Sequence, residues 1–438
     1  GPTKTLREAA MHLTGFRHRA LYGLTEQPDI GMAVERARAR TREVSSAMQN
    51  ITRSLFVDKL GVDVVYGSAR LGQNRNVIVT PCEGLETEHV FTADKILVAT
   101  GSCPFHPENI PFDDPDIFDS EELPNLKRIP KNVLIVGGGS IGCEFASIFT
   151  AFRISVTVVD SKKNLLSSMD REISRLLCKV FENQGMRIVL GTRVRTTRRV
   201  NGELQVTLET DEVLYPDIVL FATGRTVNTE GLGLEEVGVK LNTQGIIEVD
   251  NHFQTTVDGI YAVGDVIGPS LASVSMEQGR VAACHALSLG FKEKLDPLSV
   301  FAVYSVPEVA GVGLTEDDAK EQGIDYEVGL CNFGSIHRGV ISGDSDGILK
   351  LVFRRHDRCL LGVHIIGDIA SELISLGQAT IHNSGTIDMF NNLTFATPTY
   401  TMAYKFAAFD GFKRQAATGD FHKFGSEQKL DLAESSQT

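Results

Sequence analysis

Apolar positions change their spacing along the chain, and each change predicts a different kind of element. Over residues 1–60 an apolar period runs from Leu6 to Leu60, broken by charges, and predicts one or two amphipathic helices. From Val62 to Thr100 the pattern shortens to β-branched runs punctuated by Gly and Asn. It predicts strands over VDVVYG (62–67), NVIVT (76–80) and KILVAT (95–100). The proline-rich PFHPENIPFDDPD (104–116) breaks any regular element and predicts a surface connection. Next, KNVLIVGGGSIGCEFASIFTAFRISVTVVD (131–160) reads as strand, glycine turn, helix and strand. A helix over 170–184 and further strands lead to DIVLFATGRTVNT (217–229), and GIYAVGDVIGPSLASVSMEQGRVAA (259–283) reads as strand, turn and long helix. From about 298, strands at 301–304, 326–334, 347–353 and 360–366 alternate with helices at 315–322, 369–384 and 399–410, an α+β pattern. The tail from Gln415, rich in Gly, Ser, Asp, Glu and Lys, is expected to be disordered.

One internal echo stands out. KILVATGSCP (95–104) and DIVLFATGRT (217–226) both close an apolar strand with Ala-Thr-Gly, as two dinucleotide-type domains ending in the same turn would.

Composition narrows the class. A chain of 438 residues is too long for one core and implies about two to four domains. No run reaches the roughly 18–20 apolar residues of a membrane span, so no membrane partner is expected. Residues 1–30 lack the basic-then-apolar layout of a secretory signal. A net charge of −13 without any Lys/Arg block argues against nucleic acid as a partner. The seven cysteines are scattered, with no zinc-ligand spacing, and read as reduced thiols of a cytoplasmic protein. The eleven histidines form no i, i+4 pair beside an acid, so no metal site is expected.

The sharpest motif is Gly137-x-Gly139-x-x-Gly142, which follows the β run 133–136, opens a helix at Ser140 and Ile141, and has Asp160 at the end of the next strand. Here the first glycine permits the tight turn, the second lets a pyrophosphate approach the backbone, and the third lets helix and strand pack closely. The helix N-terminus presents free N–H groups to phosphate. Asp160 is placed to accept from adenosine ribose hydroxyls, favouring NAD. Lys162 and Lys163, just beyond it, would either meet the 2′-phosphate of NADP or stand solvated.

NVLIVGGGSIGCEFASIF (132–149), both ATG segments, YAVGDV (261–266) and YSVPEVAGVGLTEDDAK (304–320) resemble the two-dinucleotide-fold disulfide reductase family. The resemblance runs from residue 2 to about 414. It implies an α/β fold with two Rossmann-like dinucleotide-binding domains, the first incomplete, and a C-terminal α+β dimerisation domain. On this reading residues 1–125 and 250–296 form the FAD-binding domain, 126–249 the NAD(P)-binding domain and 297–414 the homodimer interface, with 415–438 as tail. The resemblance places Asp265 at the FAD ribityl chain, and Thr100, Gly101 and the second ATG turn at Gly224 beside bound cofactor. Leu271, Ala272 and Ser273 resemble the helix start that faces the flavin pyrimidine edge. Lys4, in PTKTL (2–6), resembles the lysine near flavin N5, and Glu144 its carboxylate partner beside the nicotinamide.

The disulfide reductases of this family also use a cysteine pair just before the PTK segment and a C-terminal His in an HPT motif. Here no two cysteines have CxxxxC spacing, and the C-terminal segment reads FATPTYTMAYKFAAFDGFKR (395–414), with Ala396 and Thr397 before Pro398 and no His. The branch without this apparatus, the transhydrogenases, shares GCEFASIF (142–149), PTKTLREA (2–9) and GQATI (377–381). The resemblance therefore implies hydride transfer between nicotinamide dinucleotides, from NADPH to NAD through FAD, at one nicotinamide site used twice. An NADH:acceptor diaphorase, or a flavin-free NAD-binding remnant without turnover, stays open on the residues alone. Family members open with a glycine loop of their own for the FAD pyrophosphate, and none precedes Lys4. The expectation is therefore a chain short of roughly 40–50 residues at that end, with weakened FAD binding.

Overall fold

The computed structural model describes residues 2–81, 88–122, 126 and 128–417. From the N-terminus come α1 (Pro2–Thr14), α2 (His18–Leu21) and α3 (Ile30–Arg53). Strands β1 (Gly67–Gly72), β2 (Asn76–Pro81) and β3 (His89–Thr92) follow, then β4 (Ile96–Val98), β5 (Ser102–Pro104), β6 (Ile117–Phe118) and β7 (Asn132–Val136). Helix α4 (Ser140–Ala151), β8 (Ser155–Asp160), α5 (Arg171–Asn183) and β9 (Arg187–Leu190) form the next stretch. Strands β10 (Val194–Val200), β11 (Glu203–Leu208), β12 (Val213–Leu214), β13 (Ile218–Phe221), β14 (Arg225–Val227) and β15 (Ile260–Ala262) lead to α6 (Ala272–Ala286). The last part runs β16 (Phe301–Val303), β17 (Glu308–Gly313), α7 (Glu316–Glu321), β18 (Tyr326–Asn332), α8 (His337–Ser342), β19 (Ile348–Arg354) and β20 (Leu360–Gly367). It ends in α9 (Ala370–His382), α10 (Asp388–Asn392) and α11 (Met402–Ala417).

The chain falls into two compact units, each built from three segments. The first holds residues 1–9, 31–137 and 193–299, the second 10–30, 138–192 and 300–438.

In the first unit β1, β2 and β3 form an antiparallel meander, and β10, β11 and β12 another. Strand β13 runs parallel to both β6 and β7. Its four residues are all buried, the continuous apolar run expected of a parallel strand covered on both faces. Strands β4 and β15 also pair in parallel. Their inward residues Ile96, Val98, Ile260 and Ala262 meet Leu71, Leu234, Val239, Ile247 and Val266 in one core. The echo between the two ATG segments has a physical outcome: the strands that leave the two turns, β5 and β14, pair with each other, Ser102 opposite Val227 and Pro104 opposite Arg225.

In the second unit β8 pairs in parallel with β9, and the C-terminal part is a five-stranded antiparallel sheet of order β16-β17-β20-β19-β18. Asp170 caps α5 through Glu172 N and Ile173 N, and Thr315 and Asp318 form a reciprocal capping box on α7.

Two sequence expectations need correction. VDVVYG (62–67) is not a strand: residues 62–66 are exposed and pair with no strand among the described residues, and the ladder starts at Gly67. β-branched composition favours a pleated surface, but a strand needs a neighbour to bond. The expected tail does not begin at Gln415. Helix α11 continues to Ala417 because Gln415 is buried, with Nε2 donating to Arg355 O at 2.7 Å and Oε1 accepting from Arg358 Nε at 2.9 Å. Residues 418–438, and with them the rest of that expectation, lie outside the described residues, as does Cys82.

Candidate functional site

The glycine turn is built as its spacing predicts. Gly137 has φ +114°, and a Cβ there would collide with the Ala222 carbonyl oxygen in the neighbouring strand-and-turn of the first unit. Gly139, in extended conformation, stands at the N-cap of α4 with no side-chain cap, and a Cβ there would meet nothing within 4 Å. The N–H groups of Ser140, Ile141 and Gly142 thus open a 12-residue helix beneath free space. This cradle suits a pyrophosphate, which needs close backbone approach and donors.

Asp160 ends β8 and is half-buried. Oδ2 accepts from Gly138 N, and Oδ1 accepts from Lys162 N at 2.6 Å. The carboxylate therefore braces the turn from behind, and each oxygen keeps a lone pair for a further donor. The side chains of Lys162 and Lys163 are exposed.

A second constellation lies in the first unit around Asp265. Ser102 Oγ donates to Asp265 Oδ2 at 2.6 Å and accepts from Arg225 Nε at 2.6 Å. Asp265 Oδ1 accepts from Ser270 N at 3.0 Å, and Arg225 Nη2 reaches Ser102 O at 2.6 Å and Glu121 Oε1 at 3.0 Å. Thr100 and Gly101 join through Asn228: Thr100 Oγ1 donates to Asn228 O at 2.8 Å, and Asn228 N donates to Gly101 O at 3.0 Å. Gly224, φ +152°, immediately precedes Arg225 and accepts from Phe105 N at 3.1 Å. Leu271 is the N-cap of α6 without a side-chain cap, and Ala272 and Ser273 are exposed at its first turn. Ser102, Glu121 and Arg225 were not singled out from sequence. The echo was the one signal for Ser102 and Arg225, which occupy the same place after each Ala-Thr-Gly, and it gave none for Glu121.

Lys4 lies half-buried in the first turn of α1, in the first unit. Glu144 is buried in α4, in the second, with Oε1 accepting from Tyr304 N at 3.1 Å. Ala396 is exposed ahead of α11. Among the described residues all six cysteines are free thiols. Burial pushes the Cys143 thiol far up and that of Cys331 to about 11, which leaves neither as a ready thiolate.

Comparison with known proteins decides what frame these two constellations sit in. Residues 3–279 match the model of the pyridine nucleotide-disulphide oxidoreductase family, and residues 300–408 match that family's dimerisation domain. The chain belongs to this family. It is an oxidoreductase with the two-dinucleotide α/β fold, and it pairs as a homodimer through the dimerisation domain. It is similar to a soluble pyridine nucleotide transhydrogenase of Mycobacterium bovis, 36% identical over 96% of this chain and 90% of that protein. A protein of the same name from Pseudomonas aeruginosa is 34% identical over 94% of this chain and 89% of its own length. Among solved structures, the Cu(II) complex of the HOCl-induced flavoprotein disulfide reductase RclA from Escherichia coli superposes with a TM-score of 0.83 at 27% identity, covering 93% of this chain and 88% of that one. LpdA from Mycobacterium tuberculosis gives 0.83 at 27% identity, over 93% and 89%.

FAD and NAD(P) are the cofactors of this family, and the residues present fit both. The uncapped α4 with its open glycine suits one pyrophosphate. The Asp265 constellation and the uncapped α6 suit a polyol and an electron-rich ring edge.

Proposed function

We propose that this protein transfers hydride between NADPH and NAD through FAD, without a redox-active disulfide. The observation that carries the reading is Ala396. In FATPTY (395–400) an alanine methyl stands where disulfide reductases of the family keep a proton-transferring His, and no His occurs in residues 395–414. The relatives named soluble pyridine nucleotide transhydrogenase support it, as does their coverage of nearly the whole chain. The raised thiols of Cys143 and Cys331 agree. The adjective in those names also supports a cytoplasmic location.

Bound FAD would supply the two-electron carrier, and the chain's own residues supply binding, orientation and charge. We assign Gly137, Gly139, Ser140, Ile141, Gly142, Asp160 and Lys162 to the nicotinamide dinucleotide. Thr100, Gly101, Gly224, Asp265 and the α6 start at Leu271, Ala272 and Ser273 are assigned to FAD. The free N–H groups at that helix start favour negative charge in front of them. Lys4 and Glu144 are each assigned a catalytic role, and Tyr304 N orients the Glu144 carboxylate. The division into residues 1–125 with 250–296, 126–249 and 297–414 belongs to the same reading. Hydride transfer between the bound cofactors would need no general base, so the chain's part is to hold and orient them.

The test is direct. FAD-loaded protein is mixed with NADPH and thio-NAD, and thio-NADH formation is followed by absorbance. Turnover is expected, together with no reduction of glutathione disulfide or lipoamide by either nucleotide. Disulfide turnover, or no hydride reaching thio-NAD, would overturn the reading.

A further inference from the structure

We propose that Lys350 is a positioning residue for the nucleotide-binding loop, acting through the cap of α5 and not by touching a nucleotide. The inference rests on the reading that the glycine turn and Asp160 receive a nicotinamide dinucleotide.

Lys350 lies on β19 with 0% of its surface exposed. An ammonium is seldom buried without a purpose, because it loses its water shell. Its Nζ meets Asp170 Oδ1 and Oδ2, each at 3.1 Å, Glu172 Oε2 at 3.0 Å, and Glu316 Oε2. Asp170 is itself buried, and Oδ1 already accepts from Glu172 N at 3.0 Å and Ile173 N at 3.4 Å as the N-cap of α5. One carboxylate thus ties a helix start to the C-terminal sheet, within a single compact unit. Breaking such a pair leaves a buried charge exposed to no partner, so the tie is hard to loosen.

What precedes Asp170 gives the tie a role. The loop 161–169 leaves Asp160, carries Lys162 and Lys163, and returns across the glycine turn. Leu166 N donates to Gly138 O at 2.9 Å, Met169 N to Leu166 O at 2.8 Å, and Ser174 Oγ to Leu166 O at 3.2 Å. Leu166 holds φ +45°, a left-handed conformation that a leucine keeps only when its surroundings over-determine it. Among the described residues the loop is held by the Asp160 carboxylate on Gly138 N and Lys162 N, by Leu166 on Gly138 O, by Gly191 N on Lys162 O, by Ser174 Oγ on Leu166 O, and by Asp170 on Lys350. The first two belong to the nucleotide turn itself. The last comes from the C-terminal sheet, and it keeps the loop shaped before a ligand arrives.

The experiment compares parent holoenzyme with K350M and with the double variant E172Q/E316Q, which keeps Lys350 and the Asp170 cap but removes two of the three counter-charges. Kd for NADPH and for NADH is read by titration, backbone hydrogen exchange is followed at Leu166 and Met169, and KM and kcat are separated. In K350M, a loop competent for about a tenth of the time raises both Kd values about tenfold. Exchange at Leu166 and Met169 speeds up, KM rises, and kcat at saturation stays within about twofold. The double variant moves the same way by less, and it decides the matter if K350M does not fold. Unchanged Kd and unchanged exchange at Leu166 in a folded variant overturn the proposal. If the parent binds neither nucleotide, the proposed function fails instead, and the exchange rates still judge the tie.

Discussion

The Asp160 carboxylate is engaged before any ligand arrives, one oxygen on Gly138 N and the other on Lys162 N. Its charge is therefore pinned at the end of β8, where, on the proposed assignment, it would accept from ribose hydroxyls and repel a 2′-phosphate. Asp160→Ser should lower the ratio of Kd for NADP to Kd for NAD by about tenfold, the effect of roughly 1.4 kcal/mol of like-charge repulsion at a partly screened site. Affinity for both should weaken, since serine restores only one acceptor to the turn. Paired titrations with both nucleotides read this, and an unchanged ratio removes Asp160 from the selectivity role. Asp160 was legible in the sequence because turn, helix and acid all fall within one βαβ span. Ser102 and Arg225 were not: they are 123 positions apart, and nothing local says that one will donate to the other. Lys350 is harder still, a strand lysine whose partner Asp170 lies 180 positions away.

Among the elements, those with strong local period or caps were readable and those that depend on a neighbour were not. The glycine turn into α4, the Asp170-capped α5 and the long strands β19 and β20 follow directly from their residues. VDVVYG (62–67) has strand composition yet pairs with nothing described, and α11 outlasts its expected end because the fold buries Gln415. The turn offers a dissection within one motif. Gly137→Ala combines a positive φ with a collision on the Ala222 carbonyl, and should cost about 2 kcal/mol or more of stability in thermal or denaturant unfolding. Gly139→Ala adds a methyl to open space at an ordinary φ, with only the modest cost of alanine at an N-cap, so unfolding should move by about 1 kcal/mol or less while dinucleotide affinity falls at least about tenfold. If Gly139→Ala binds as the parent does, the cradle above α4 is not where phosphates sit.

For the molecule as a whole, buried charges of opposite tendency set the response to pH. Burial pushes the Asp170 carboxyl up, but His364 and the Lys350 ammonium outweigh it and hold the group below the usual carboxylate range. His364 is itself held below its ordinary value by burial, hence neutral near pH 7, so Lys350 is the working partner there. A depressed carboxyl contributes stability above its unfolded value, near about 4, and loses it as pH falls through the folded value. Asp344 has the reverse sign. Burial first, then Asp368 and Asp346, raise its carboxyl against the pull of Arg17, whose Nη2 stands 3.5 Å away, and among the described residues Oδ1 accepts no hydrogen bond. Tyr400 also faces this group. Ionised Asp344 therefore works against folding at neutral pH. Asp344→Asn should raise the unfolding midpoint at pH 7, with the gain shrinking as pH drops through the raised value towards about 4. A lower midpoint at pH 7 would show that the Arg17 pairing dominates.

The interleaving of the two units has a consequence for how the protein is made. Neither unit is a continuous stretch: six segments alternate, three to each. A ribosome therefore cannot finish one and move on to the next. The first waits for its third segment to end at Ser299, and the second cannot start its own third segment until Val300 emerges. Until that point the nascent chain holds two half-assembled interiors, so a stall before it should hand both at once to holdase chaperones.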